Sequence, residues 1–274
     1  MLLTPNQRQE VLADPRFSDI GALPSQFFPY QPPFLNQGSF SRLYVRPFAI
    51  TELKLLSKAV ALEDSTHLIR AVDLVTTENI YDLTIGDFYY VMAWLRIHSM
   101  PKTPMVANWH CKASYLRHKE SHSIIFNDHT FRRPDDLSAY EVVPCDTYNT
   151  EILHMVNMDI ISFDDDWTCP FDPTRFDFPR VKHMVSLIEA LKNPELRFLA
   201  PIAQWLKPQN PANDTLDERF KALEATTDLS LFEEARLIEN SVKHGVNEST
   251  TLNCRLCRAK YPHKLNIQPL DFFR

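Results

Sequence analysis

The chain has 274 residues, 44% of them hydrophobic, and a formal net charge of -6 at pH 7. That is ample apolar material for one large or two smaller domains, and the acidic balance excludes a broad basic field for holding a nucleic-acid backbone. Only 4 glycines stand against 20 prolines, so Gly-built phosphate loops and primed hairpin turns are scarce and rigidly routed connections are expected.

The opening Met1-Leu2-Leu3-Thr4-Pro5 lacks a charged region followed by an apolar run, so it does not read as a secretory signal. No window approaches the roughly 18 continuous apolar residues of a membrane span, and a soluble chain without membrane partners is expected. Residues 1–39 are rich in proline and aromatics (Leu23-Pro24, Phe27-Phe28-Pro29-Tyr30, Pro32-Pro33-Phe34) and show neither helical nor strand periodicity. They read as an extended arm whose aromatics pack on a surface. Phe40 to Pro47 alternates as a strand stopped by proline. Helical faces follow over 50–62 and 65–76. A third helix starts from Thr84, three residues before Asp87 as in a capping box; it carries Phe88, Met92 and Leu95 on one side and ends near Ser99.

From 104 onward the pattern changes to short strands at 105–109, 140–143 and 151–156, with a charged excursion over 112–138. Helices are expected at 179–192, 195–206, 215–225 and 229–243. For the last, Ser230 and Glu233 have capping-box spacing, and Gly245 stands where a C-terminal cap belongs. The tail reads as a β pair, Thr250–Leu252 and Lys264–Ile267, around a tight turn from Cys254 to Cys257. The expected fold class is therefore α+β. The expected segments are an arm over 1–39, a strand plus three-helix unit over 40–103, a central β region over 104–163, a helical unit over 164–249, and a hairpin over 250–274 that packs on the central region. A zinc-ribbon-like cysteine site closes the β region.

That site is the strongest chemical signal. Two residues between Cys254 and Cys257 let one tight turn aim both sulfurs at a single metal, and zinc is the default for tetrahedral thiolate ligation. Five cysteines, an odd number, point to a reducing compartment where such thiols serve as ligands rather than disulfides. A redox Cys-x-x-Cys opens a helix after a strand; this one precedes a proline-containing strand. A closed site needs two more ligands. Cys111 and Cys145 each follow a strand, where a knuckle presents its thiolate, so the expected structural zinc site is Cys111, Cys145, Cys254 and Cys257. His110, His118, His122 and His263 compete as ligands, His118 and His122 being four apart and able to share a helical face. Cysteines buried simply as small apolar side chains remain the alternative without metal. Cys169 reads as a packed residue, and Asp164-Asp165-Asp166 as a solvated turn without calcium-loop spacing. No Gly-x-Ser-x-Gly, Walker loop or His-Glu-x-x-His occurs, and no enzyme is expected.

Two regions resemble a known family. Arg46-Pro47-Phe48 with Glu52-Leu53-Lys54-Leu55-Leu56-Ser57-Lys58-Ala59, then Leu83-Thr84-Ile85-Gly86-Asp87-Phe88-Tyr89-Tyr90 running into Trp94-Leu95-Arg96-Ile97-His98-Ser99, resembles baseplate hub and hub-assembly proteins of contractile-tailed, T-even-like bacteriophages. The close of the chain, Cys254-x-x-Cys257 followed by Leu265-Asn266-Ile267 and Leu270-Asp271-Phe272-Phe273, is similar to the ending of such proteins. The resemblance covers 40–111 and 250–273. It implies a structural subunit of the virion tail baseplate that docks on hub, wedge or central-spike proteins, in multiple copies where the assembly is symmetric, and that resides in the host cytoplasm during assembly. It transfers no catalytic residue. Two other readings stay open: an assembly factor absent from the mature virion, and a zinc-dependent nucleic-acid binder using Arg255, Arg258, Lys260 and Lys264.

Overall fold

The computed structural model describes residues 13–25, 42–100, 105–125, 136–153, 159–163, 169–210, 212–226, 229–247, 249–264, 270 and 273. Among them the chain is mixed α+β, with seven α-helices and several small antiparallel sheets. It divides into two units, each assembled from segments distant in sequence. A helical unit takes Met1–Pro101, Asp159–Val246 and Gln268–Arg274; a ribbon unit takes Lys102–Met158 and Asn247–Ile267.

The helical unit begins with β1 (Ser18–Ala22), antiparallel to β2 (Arg42–Val45), whose Leu43 and Val45 are buried. The register slips between Asp19 and Ala22, where Gly21 takes φ 80° and donates its N–H to Asp19 Oδ1 at 2.8 Å. A left-handed residue at such an irregularity suits glycine. Part of the expected arm is thus a sheet strand; its residues 1–12 and 26–39 lie outside the described residues. Helix α1 (Ile50–Leu62) is capped by Glu52, which accepts the Ala49 N–H at 2.8 Å and meets the Arg46 guanidinium at 3.0 Å. It stops at Glu63, which adopts the left-handed conformation at φ 52°. Asp64 then caps α2 (Ser65–Asp73) through Thr66 N–H at 2.8 Å. This helix ends short of the expected 76 because Thr76 bridges back to Val45.

Helix α3 (Ile85–Ser99) buries Phe88, Met92 and Leu95 completely, as the spacing of those residues requires. Thr84 Oγ1 accepts the Asp87 N–H at 3.2 Å, one half of the capping box. The Asp87 carboxyl turns away to the buried Ser25 instead.

In the ribbon unit, β3 (Met105–Cys111), β4 (Ser114–His118), β5 (Ile124–Ile125), β6 (Tyr140–Pro144) and β7 (Thr147–Leu153) follow in order. β3 pairs with β7 from Met105↔Leu153 to Cys111↔Thr147, and β4 pairs with β6 from Ser114↔Pro144 to His118↔Tyr140. The two ladders are one long antiparallel pair, bent where Lys112-Ala113 faces Cys145-Asp146. Cys145 N–H donates to Ala113 O at 2.6 Å across the bend. The charged stretch 112–138, expected as an excursion, therefore supplies two strands. Its charges mark cross-strand partners, as when Arg117 meets Glu141 at 2.6 Å.

The helical unit resumes with β8 (Ile160–Ile161), α4 (Val181–Lys192), α5 (Ala200–Ala203), α6 (Leu216–Glu224), α7 (Leu229–Ser241) and β9 (Gly245–Val246). Phe163, Phe171, Phe176, Phe178, Trp205 and Phe220 lie in one buried core. The expected helix 195–206 is a single turn, because Pro201 sits in its first turn and the chain before it runs in turns rather than α-helix. Gly245 is not a helix cap. It pairs with Ile161 in a strand, has φ 98° and lies against the Gly86 backbone, where a Cβ would collide. Ser230 lies inside α7 rather than before it. Cys169, expected as packed, is exposed, and its thiol donates to Phe171 O at 3.4 Å. The Asp164–Asp166 expectation falls outside the described residues. Last, β10 (Ser249–Asn253) and β11 (Lys260–Lys264) form a hairpin from Ser249↔Lys264 to Asn253↔Lys260, so its second strand begins four residues earlier than expected. Among the described residues no helix is long and apolar enough to cross a membrane.

Candidate metal centre

Three turns of the ribbon unit bring four cysteines together. Cys111 ends β3 and Cys145 follows β6, so both stand at the bend of the long pair, one on each side of it. Cys254 and Cys257 lie in the β10–β11 turn, which closes with Cys254 N–H on Ala259 O at 3.0 Å and Arg258 N–H on Cys254 O at 2.9 Å. Arg258 takes a left-handed φ of 54°, which lets the turn wrap tightly around the Cys254 sulfur. All four Sγ atoms lie within 4.8 Å of one another. Cys111 and Cys257 are 3.6 Å apart, and Cys145 and Cys254 are 3.7 Å apart. A disulfide requires about 2.0 Å, whereas four sulfurs about 2.3 Å from one tetrahedral ion stand about 3.8 Å apart. Both of these separations match the edge of that tetrahedron. The four thiols are 0–2% exposed, close enough to hold a metal ion, and compatible with zinc.

The sulfurs differ in their surroundings: burial pushes the Cys145 and Cys257 thiols up, whereas Cys254 is brought down. Tyr261 OH lies 3.5 Å from Cys111 Sγ, Thr147 Oγ1 lies 3.4 Å from Cys145 Sγ, and Asn149 Nδ2 donates to Cys254 Sγ at 3.6 Å. Backbone N–H groups of Cys257 and Leu256 point at the Cys254 sulfur, and that of Ala259 points at Cys257. Burial alone would raise the Cys254 thiol, but these amide donors outweigh it and bring it down to about 7. The small core around the site consists of Cys111, Tyr115, Cys145, Cys254, Cys257 and Ala259, with Trp109 and Tyr261 packed against it.

Three competing histidines stand elsewhere. His110 Nε2 meets Asp146 Oδ1 at 2.7 Å while its ring stacks on Tyr148. His118 is on strand β4, where its Nδ1 accepts N–H groups from Glu120 and Ser121 at 3.3 and 3.2 Å. His122 is in the following turn at φ 58°, so the two share no helical face. The His263 side chain lies outside the described residues.

The helical unit holds buried polar groups with no local sequence signal. Ser25 donates its N–H to Asp87 Oδ1 at 2.9 Å across 62 residues, and burial pushes the Asp87 carboxyl up to about 7. Thr84 Oγ1 and His244 Nε2 are 2.6 Å apart across 160 residues, and burial brings that imidazole down to about 4. Asp214 accepts from Lys182 at 2.6 Å, Arg219 at 2.9 Å and His183 at 3.1 Å. Burial disfavours its charge, yet these donors hold it well below the usual carboxylate range.

Comparison with known proteins returns no match to a protein family, a curated protein or a solved structure.

Proposed function

We propose that this protein is a non-catalytic structural subunit of a contractile phage tail baseplate, its ribbon unit locked by a structural zinc on Cys111, Cys145, Cys254 and Cys257. The observation that carries the non-catalytic reading is the closure of the site. Four buried sulfurs within 4.8 Å of one another would fill every position of a zinc ion, whereas catalytic zinc keeps one position for water or substrate. The baseplate assignment is supported by the resemblance over 40–111 and 250–273. On this reading the chain docks on hub and wedge proteins, and zinc supplies folding free energy that lets a small β unit withstand force on the tail.

Two measurements test the two halves separately. Metal analysis of protein purified without added metal is expected to give one zinc per chain; a metal-free, folded protein ends the structural-zinc reading. Mass spectrometry of purified intact tails is expected to find the chain at fixed stoichiometry with hub and wedge proteins. Its absence from tails, together with binding to unassembled hub protein, would replace the virion subunit with an assembly factor.

A further inference from the structure

The four-cysteine site is surrounded by donors spread over both chain segments of the ribbon unit, and one side chain joins them. Asn149 is 3% exposed and lies on β7 with its amide turned inward. Its Nδ2 donates both to Cys254 Sγ at 3.6 Å and to Thr147 O at 3.0 Å, while its Oδ1 accepts the Arg255 N–H at 3.0 Å. One amide thus fixes the β7 backbone, the first residue of the Cys254–Cys257 turn and a ligand sulfur at once. On the exposed side of the same strand, Arg255 Nη2 donates to Thr150 O at 2.7 Å, a second tie between the same two segments.

Resting on the zinc reading above, we infer that Asn149 is the positioning residue of the metal centre, orienting the Cys254 thiolate and setting how tightly the metal is held. Four thiolates around a divalent ion leave a net charge of -2 in a site that water does not reach, and a buried charge needs donors to persist. Tyr261 OH lies beside Cys111, the Cys145 thiol donates to Thr147 Oγ1, and the Ala259 amide serves Cys257. Cys254 receives the only side-chain N–H directed at a ligand sulfur among the described residues, and that N–H comes from the partner segment. It therefore couples ligand orientation to the docking of the turn on β7. Outer-shell partners of this kind are worth about 10–100-fold in metal affinity.

Asn149→Asp separates the two roles, because a carboxylate still accepts the Arg255 N–H but gives the sulfur no donor and brings a like charge. Asn149→Leu removes both. The probes are zinc and cobalt(II) alone, with release followed against a chromogenic chelator. Both variants are expected to lose zinc about 10–100-fold faster than the parent, and their cobalt forms should show sulfur-to-cobalt bands shifted to lower energy while circular dichroism with excess metal stays that of the parent. Purely architectural action by Asn149 would leave the cobalt bands unmoved and let Asn149→Asp release zinc as the parent does; either result overturns the inference. A parent chain that binds neither ion would instead end the zinc reading itself.

Discussion

Asp87 offers a sharp test of the helical unit, because its replacement by asparagine is expected to stabilise the protein at alkaline pH. The carboxyl is fully buried in the first turn of α3, and burial pushes it up to about 7 against about 3.9 in an unfolded chain. The folded state therefore holds this proton more tightly than the unfolded state. Stability from the protonated group is complete below pH 4 and is lost as pH rises through 7. Three units at 1.36 kcal/mol each make the loss about 4 kcal/mol at pH 8, and about 1.5 kcal/mol at pH 5. The Asp87→Asn side chain would keep both contacts, its amide oxygen accepting the Ser25 N–H and its amide nitrogen donating to the Ser25 hydroxyl, without the ionisation. His244 provides the internal control. Burial brings it down to about 4 from about 6.5, so its contribution is present above 6.5 and is lost as pH falls toward 4. Between pH 4.5 and 6.5 the two groups oppose each other, so the parent should show a shallower dependence than Asp87→Asn. In Asp87→Asn the slopes of His244 and of His183, which burial also lowers, remain, so stability should rise with pH over that window. Urea denaturation at pH 4.5, 6.5 and 8 reads all of this. A variant less stable than the parent at pH 8 would refute the reasoning, since it would mean that Asp87 is held as a carboxylate by Ser25.

Other outcomes follow from the same structure. Asp214→Ala leaves Arg219, 0% exposed at its side chain, without its closest carboxylate, and should lower stability by about 3–5 kcal/mol in chemical denaturation. In the parent, Asp214 should contribute above pH 4 and cease to as pH falls below it, seen as an acid limb in the stability profile. Gly245→Ala adds a Cβ to a residue at φ 98° backed against Gly86, and a loss of about 2 kcal/mol or more is expected by thermal denaturation. Cys145→Ser and Cys111→Ser should each abolish stoichiometric zinc, whereas Cys169→Ser should leave zinc content unchanged in metal analysis.

What the sequence revealed depended on how far each signal reaches along the chain. Phe88, Met92 and Leu95 repeat at helical spacing, so α3 was legible with its Thr84 cap and its end at Ser99. Cys254 and Cys257 announce a shared turn, and Cys111 and Cys145 stand at the ends of readable strands, so convergence of the four was a short step. β4 was hidden because Arg117 and Glu141 satisfy each other across strands, a pairing indistinguishable in one dimension from a solvated charged loop. β1 was hidden by the prolines around it. Gly245 follows a helix closely enough to look like its cap, yet its positive φ serves the close approach of Gly86, 159 positions away in the numbering. Ser25 with Asp87 and Thr84 with His244 carry no local mark, because burial and not spacing makes those pairs meaningful.

The composition of the cysteine cluster in the ribbon unit favours the zinc reading. Among the described residues, six are buried in that cluster; four are the cysteines, and the remaining two are Tyr115 and Ala259. A small β unit stabilised by apolar burial alone would place branched or aromatic side chains at such positions, each worth about 1.5–3 kcal/mol when fully buried. A core of thiols gives up much of that, and small domains with meagre cores depend on disulfides or metals to remain folded. The sulfur separations exclude disulfides. Zinc binding at such a site is worth about 10–16 kcal/mol, more than the four cysteines would contribute as small hydrophobes. On the zinc reading the same ion would join the bend of the long pair to the β10–β11 turn, segments more than 100 residues apart. Loss of the metal should therefore uncouple those two segments before it disturbs the aromatic core of the helical unit.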